Sequence, residues 1–195
     1  MLLSKPFMVE FSGTPEAGKT TTINTVANML RSKNYNVMTL KESAESLPKE
    51  IEKGTFEANL WMHFVTQAGI LRAINSNADV VLIDRGTLDS AFYGQKFLAE
   101  GECTTVQYNE FKRTFLECLK PNLFIALMVS PEVSVKRRGG EGRLVNTEYI
   151  KNYNSHFLTF FQKLDLEEKE LIVTDNLDVY RMNEVILNII LKHLL

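Results

Sequence analysis

Residues 13–20 read GTPEAGKT, a complete G-x-x-x-x-G-K-T sequence, and the apolar run Phe7, Met8, Val9, Glu10, Phe11 stands directly before it. A glycine-rich turn between a strand and a helix lets successive backbone N–H groups converge on a polyphosphate, and the helix N-terminus adds a partial positive charge. Lys19 then reaches the outer phosphates and the Thr20 hydroxyl can ligate magnesium. Gly13, Thr14, Pro15, Glu16, Ala17, Gly18, Lys19, Thr20 and Thr21 are therefore the expected cradle for the phosphates of ATP. A chance turn with the same spelling would lack the strand before it and the helix after it.

Outward from that loop, strand and helix patterns alternate to the end of the chain. Phe7–Phe11 is the first strand, and residues 19–33 carry Ile23, Val26 and Leu30 at helical spacing. Asn36–Leu40 reads as a second strand, residues 41–53 as a loop with a short helix interrupted by Pro48, and residues 60–74 as a long helix whose Trp61 and Phe64 are expected in the core. The near-continuous apolar runs Val80–Asp84, Leu123–Val129 and Leu171–Val173 are expected to be strands buried on both faces. Helical patterns fall at roughly 88–99, 106–119, 131–138, 146–168 and 181–195. Strands separated by helices imply right-handed crossovers, hence an α/β fold: a doubly wound, mostly parallel five-stranded sheet flanked by helices. Ligands of such sheets bind beyond the carboxyl ends of the strands. No repeat or linker divides the 195 residues, so a single domain over 1–195 is expected.

Composition excludes several classes. With 45% hydrophobic and 24% charged residues and a net charge of -2, the chain is neither disordered nor a general coater of nucleic acid, so a polyanion must be met by a local site. Cys103 and Cys118 lack metal-ligand spacing, and His63, His156 and His193 form no cluster. The N-terminus has no signal-peptide core and no run reaches the ~18 apolar residues of a membrane span, so a cytoplasmic protein without membrane contact is expected. The last segment, VILNIILKHLL at 185–195, packs either into the core or against a second subunit in a homodimer.

Four features meet at the strand ends: the loop, Lys41 and Glu42, Asp84 and Arg85, and a basic segment after the fourth strand. Asp84 is placed to bind magnesium, directly or through water, and Arg85 to hold a phosphate oxygen; the alternative is a helix cap beside a surface ion pair. Glu42 is either a solvated charge or a base. SPEVSVKRRGGEGR, residues 130–143, sets Lys136, Arg137, Arg138 and Arg143 around three glycines. Such a segment is a candidate lid over about 136–146, closing a guanidinium onto transferring phosphate, or else a solvated helix end. Gln67 and Arg72 are polar interruptions of the long helix that could face a substrate cleft.

These motifs together resemble the thymidylate kinase and deoxynucleoside kinase branch of the phosphate-loop kinases. The resemblance rests on GTPEAGKTT at 13–21, LKES at 40–43, DRGTLDSAFYG at 84–94, KPNLFIALMVSPEVSVKRR at 120–138 and Glu148-Tyr149, and FVTQAGILRAI at 64–74 looks like the helix that presents a glutamine to a base. It implies phosphoryl transfer from ATP with magnesium to a nucleoside or nucleoside monophosphate. Lys19, Asp84, Arg85, Arg137 and Arg143 would act at the transferring phosphate, Thr20 and Asp84 at the metal, and Glu42 as acceptor of the hydroxyl proton. Lys41, Gln67, Arg72, Arg85 and Tyr93 would contact the acceptor. The chain departs from the family's usual residues at Pro15, Lys41, Ser43 and Gly86. The acceptor is thus open, with Lys41 and Arg85, two cations at adjacent strand ends, favouring a monophosphate. The alternative is an ATPase switch acting on a partner, or a kinase of another small metabolite. A GTPase is disfavoured, because no N-K-x-D sequence is present and Asp84 is followed by Arg-Gly.

Overall fold

The computed structural model describes residues 6–116, 120–142 and 145–194. Cys118 and Arg143 lie outside the described residues, as does part of the expected lid. The strands are β1 (Phe7–Gly13), β2 (Val37–Leu40), β3 (Val80–Asp84), β4 (Leu123–Met128) and β5 (Lys169–Val173). The helices are α1 (Lys19–Ser32), α2 (Phe56–Ile74), α3 (Thr87–Ala99), α4 (Thr105–Leu116), α5 (Pro131–Arg138), α6 (Thr147–Lys163) and α7 (Val179–Leu194), with a 3-10 turn at Ser43–Ser46.

The sheet runs β2-β3-β1-β4-β5 with every pairing parallel. Alternate side chains of β1, β3 and β4 therefore serve opposite faces of the sheet, one with a single core cluster and the other with two. Val9, Phe11, Val80, Leu82, Ile125 and Leu127 pack under α1 and α7, while Phe124, Ala126 and Met128 meet α3 and the aromatic face of α6. Met8, Val81 and Ile83 pack with Ile70 and Ala73 of α2. Glu10 and Ser12, on the same strand, are fully buried polar side chains.

Helix α2 starts at Phe56, earlier than its apolar pattern indicates, because Thr55 caps it by accepting the Ala58 N–H at 3.2 Å. Helix α6 stops at Lys163 instead of 168, where Leu164 turns extended and frees the chain for β5. The core placement of Trp61 and Phe64 is corrected: both point away from the sheet and are exposed. α2 is apolar on more than one face, so periodicity alone misassigned them. Helix α7 buries Met182, Ile186, Leu187 and Ile190 against the sheet and α1, which assigns its apolar stripe to the core.

Candidate active site

The phosphate loop is built by close backbone approach. Gly13 ends β1 at φ +119, and a Cβ there would sit 2.0 Å from the Leu127 carbonyl oxygen, so only glycine lets β1 and β4 meet at the loop. Gly18, at φ +92, turns the chain into α1. From the far side α6 braces the loop: the Tyr153 hydroxyl donates to Gly13 O at 3.0 Å, and Thr14 Oγ1 donates to Asn154 Oδ1 at 2.7 Å. Lys19 lies buried across the loop, donating to Thr14 O at 2.8 Å and Gly13 O at 3.2 Å. Burial first and the Arg85 charge second push its ammonium down to about 7. A bound polyphosphate acts in the opposite sense.

Four charged side chains converge beyond the loop. Thr20 Oγ1 donates to Asp84 Oδ2 at 2.5 Å, and Asp84 Oδ1 is buried with no hydrogen-bond partner. That orphaned oxygen beside a hydroxyl fits a hard divalent cation such as magnesium, which takes few protein ligands and keeps waters and phosphate oxygens. Among the described residues no group of three His, Cys, Asp or Glu could hold a metal by itself. Arg85 follows Asp84 in the left-handed region, φ 57, which turns its side chain back over the sheet end. Its Nη1 meets both oxygens of Asp89 at 3.2 and 3.3 Å. Its Nε stands 3.1 Å from Glu42 Oε1 without hydrogen-bond alignment, so this contact is Coulombic. Burial disfavours the guanidinium charge, but Asp89 foremost, with Tyr93, Tyr153 and then Glu42, outweighs it and holds the pKa well above the ordinary value. Burial raises the Glu42 carboxyl; Arg85 pulls it down, and Asp89 and Asp84 push it further up.

Two cavities meet at this cluster. One, about 270 Å³, lies over the loop against Gly18, Lys19, Thr20 and Thr21. The other, about 230 Å³, lies between α2 and α3 and is walled by Asn59, Met62, Thr66, Tyr93 and Phe97. Glu42 and Arg85 line both. A donor in the first cavity and an acceptor in the second would thus face each other across one carboxylate and one guanidinium.

The expected acceptor residues separate. Tyr93 and Arg85 line the second cavity, whereas Lys41 and Arg72 line a different groove between α2 and the edge strand β2. Gln67 turns toward α4, its amide within 2.6 Å of His63 Nε2 and donating to Thr114 O at 3.1 Å. In the lid, Arg137 is held down: its guanidinium donates to Glu16 O at 3.2 Å and Thr174 O at 2.8 Å, tying α5 to the loop.

Three polar residues went unread in the sequence. Asp89, in the first turn of α3, anchors Arg85 and accepts from the Ser12 hydroxyl; its place four residues after Arg85 was the available signal. Glu10 accepts the N–H groups of Gly86 (3.0 Å), Leu88 (3.2 Å) and Asp89 (2.8 Å), capping α3 from a neighbouring strand. A lone acid inside an apolar strand run was its signal. Burial pushes this carboxyl up to about 8, against the three N–H donors. Any side chain at position 86 would strike it, since a Cβ there comes within 2.3 Å of Glu10 Oε2, and that accounts for Gly86. Asn59, buried on α2, donates to Ser90 O at 3.1 Å and helps wall the second cavity.

No family model matches the chain. Two curated relatives are both thymidylate kinases. That of Caldicellulosiruptor saccharolyticus is 28% identical over 163 residues, 76% of each chain. That of Pseudoalteromonas translucida is 26% identical over 188 residues, 88% of this chain and 85% of the relative. Among solved structures, the deoxyadenosine kinase of M. mycoides, with products dCMP and a flexible dCDP bound, superposes with a TM-score of 0.71. That match covers 95% of this chain and 99% of the other at 22% identity, a likeness of fold. Sequence relatives, parallel sheet and phosphate loop agree: the chain is a phosphate-loop phosphotransferase, similar in sequence to thymidylate kinases and in fold to a deoxynucleoside kinase.

Proposed function

We propose that the protein transfers the γ-phosphoryl group of ATP to the 5′-hydroxyl of a nucleoside. The observation that carries this reading is the charge balance where the two cavities join. Three carboxylates, Glu42, Asp84 and Asp89, stand among two cations, Lys19 and Arg85. Arg85 is already paired on both sides, and Lys41 is not in the acceptor cavity. A dianionic monophosphate entering there would meet net negative charge, whereas a neutral hydroxyl would meet a carboxylate able to take its proton.

In this mechanism the loop N–H groups and Lys19 hold the donor phosphates, and the helix α1 N-terminus adds favourable potential. Thr20 and Asp84 would hold magnesium, which would supply neutralising charge for the phosphates. Glu42 accepts the hydroxyl proton as the oxygen attacks, and Arg85, oriented by Asp89, faces the transferring oxygens. Most of the acceleration comes from positioning and charge stabilisation.

The thymidylate kinase relatives favour a monophosphate acceptor instead. One experiment separates the readings: purified protein with ATP and magnesium is offered each nucleoside and each nucleoside monophosphate, and products are weighed by mass spectrometry. Nucleoside monophosphates formed from nucleosides are the expected result. Turnover of monophosphates alone overturns the hydroxyl acceptor, and hydrolysis indifferent to any acceptor makes the protein an ATPase.

A further inference from the structure

The cavity between α2 and α3 has two ends of different chemistry. Glu42 and the Ser43–Thr66 hydroxyl pair, 2.9 Å apart, mark the end where phosphate would be transferred. Asn59 stands seven positions before Thr66 on α2, about 10 Å along the helix, so it meets a part of the acceptor remote from the attacking oxygen. This side chain is 2% exposed, and its amide can stand only one way. Nδ2 donates to Ser90 O at 3.1 Å; turned over, Oδ1 would be set against that carbonyl. Oδ1 accepts from no described residue and is not among the buried atoms left without a partner, so the opening it meets is the cavity that Asn59 lines.

Two hydroxyls border the cavity at this end, Thr55 one helical turn before Asn59 and Ser90 at its hydrogen bond, and both send their protons elsewhere. Thr55 Oγ1 donates to Glu52 O at 2.9 Å, and Ser90 Oγ donates to Gly86 O at 3.2 Å. What they can turn to a ligand is lone pairs. Met62 and Phe97 add apolar wall, and Lys53 borders the cavity only from the exposed rim, where its ammonium stays in water. An exocyclic amine has two hydrogens to give to such a cluster of acceptors, and the second Nδ2 hydrogen of Asn59 suits the ring nitrogen beside that amine. Cytosine and adenine carry that edge. Thymine and guanine put a carbonyl oxygen in its place, which would meet lone pairs.

We propose that Asn59, with Thr55 and Ser90, determines the base specificity of the protein, selecting acceptors whose base carries an amine beside a ring nitrogen, cytosine or adenine, over thymine and guanine. Such selection presupposes an acceptor seated in the second cavity, as proposed above, and is indifferent to whether that acceptor presents a hydroxyl or a phosphate. Gln67 takes no part in it, since its amide is bonded to α4.

The test offers the full chain, with ATP and magnesium, the common deoxynucleosides, their 5′-monophosphates, and analogues of deoxycytidine and deoxyadenosine with hydrogen in place of the amine. Product is quantified, and binding is measured by calorimetry. An amine-bearing acceptor is expected to exceed both thymidine and its own deaminated analogue in kcat/KM by at least ~100-fold, because a site built for a hydrogen bond rejects a ligand that cannot make it. Asn59→Ala should shrink that ratio at least ~10-fold, and Ser90→Ala, which keeps the backbone carbonyl that holds Asn59, should shrink it ~3-fold. Should Asn59→Ala fail to fold, Ser90→Ala and the wild-type ratios carry the test. The same ranking found among monophosphates alone supports the selection while overturning the hydroxyl acceptor. Nucleosides turned over with thymidine or deoxyguanosine ahead overturn the selection and leave the hydroxyl acceptor standing. Parity between parent and deaminated analogue, a ratio unchanged in both variants, or no base bound at all overturns the selection as well.

Discussion

Glu42→Gln is the substitution that bears most directly on the chemistry. Glutamine keeps the length of the side chain and an oxygen 3.1 Å from Arg85 Nε, but cannot take a proton. Arg85 retains Asp89 at 3.2 Å, so its position should hold. The lost ion pair is half-exposed on the Glu42 side and contributes at most about 1 kcal/mol to folding. The rate is another matter: proton transfer to a placed base contributes ~10²–10⁴-fold, or about 3–5 kcal/mol of barrier. With a nucleoside acceptor, kcat is therefore expected to fall at least ~100-fold while KM for both substrates changes by no more than ~3-fold. Burial raises the Glu42 carboxyl, so the acid limb of the wild-type pH–rate profile should lie above 4.5 and be absent from the variant. Steady-state kinetics with quantified product across pH makes the measurement. A variant with near-wild-type kcat and an unchanged acid limb would refute the assignment of Glu42 as base.

Five further outcomes are expected. Lys19, held at about 7 in the free protein, must be charged against phosphate, so ATP binding should take up a proton above pH ~7 and weaken as pH rises; calorimetry in buffers of different ionisation heat that finds no uptake near pH ~8 contradicts this. Lys19→Ala should lower turnover at least ~100-fold in a folded protein. Asp84→Asn should raise the magnesium concentration needed for half-maximal turnover at least ~10-fold, and an unchanged requirement would move the metal elsewhere. Glu10, raised from 4.5 to about 8, binds its proton more tightly folded than unfolded; its stabilising share is complete below about 4.5 and lost as pH rises through about 8. Urea melts of Glu10→Gln should therefore gain on the wild type between pH ~5 and ~9, and a constant difference argues against a raised Glu10. Arg137→Ala should depress turnover more than ATP affinity, since its contacts tie α5 to the loop and not to a ligand; equal losses would mark a direct ATP contact.

The local parts of this protein were legible from its residues. The phosphate loop, the parallel strands, of which β3 and β4 are buried as expected while the edge strand β5 is not, and the alternation that yields a doubly wound sheet are encoded in short windows, where glycine conformation, apolar runs and helix periodicity act within a few residues. Asp84 and Arg85 could be placed at a strand end for the same reason. What no window contains is which face of an apolar helix meets the sheet. Trp61 and Phe64 have the character of core residues, yet the sheet takes up Ile70 and Ala73 and leaves them outside. Lys41 sits next to Glu42 in the chain, but successive residues at a strand end diverge, so one lines the edge groove and the other the joined cavities. Gln67 satisfies its amide against α4, and Arg137 spends its donors on carbonyls of two other loops. The Glu10 cap on α3, 76 residues away, depends on β1 and β3 pairing side by side. Charge balance at the junction follows from these long-range placements, because carboxylates and guanidinium meet only when three strand ends are brought together by the sheet.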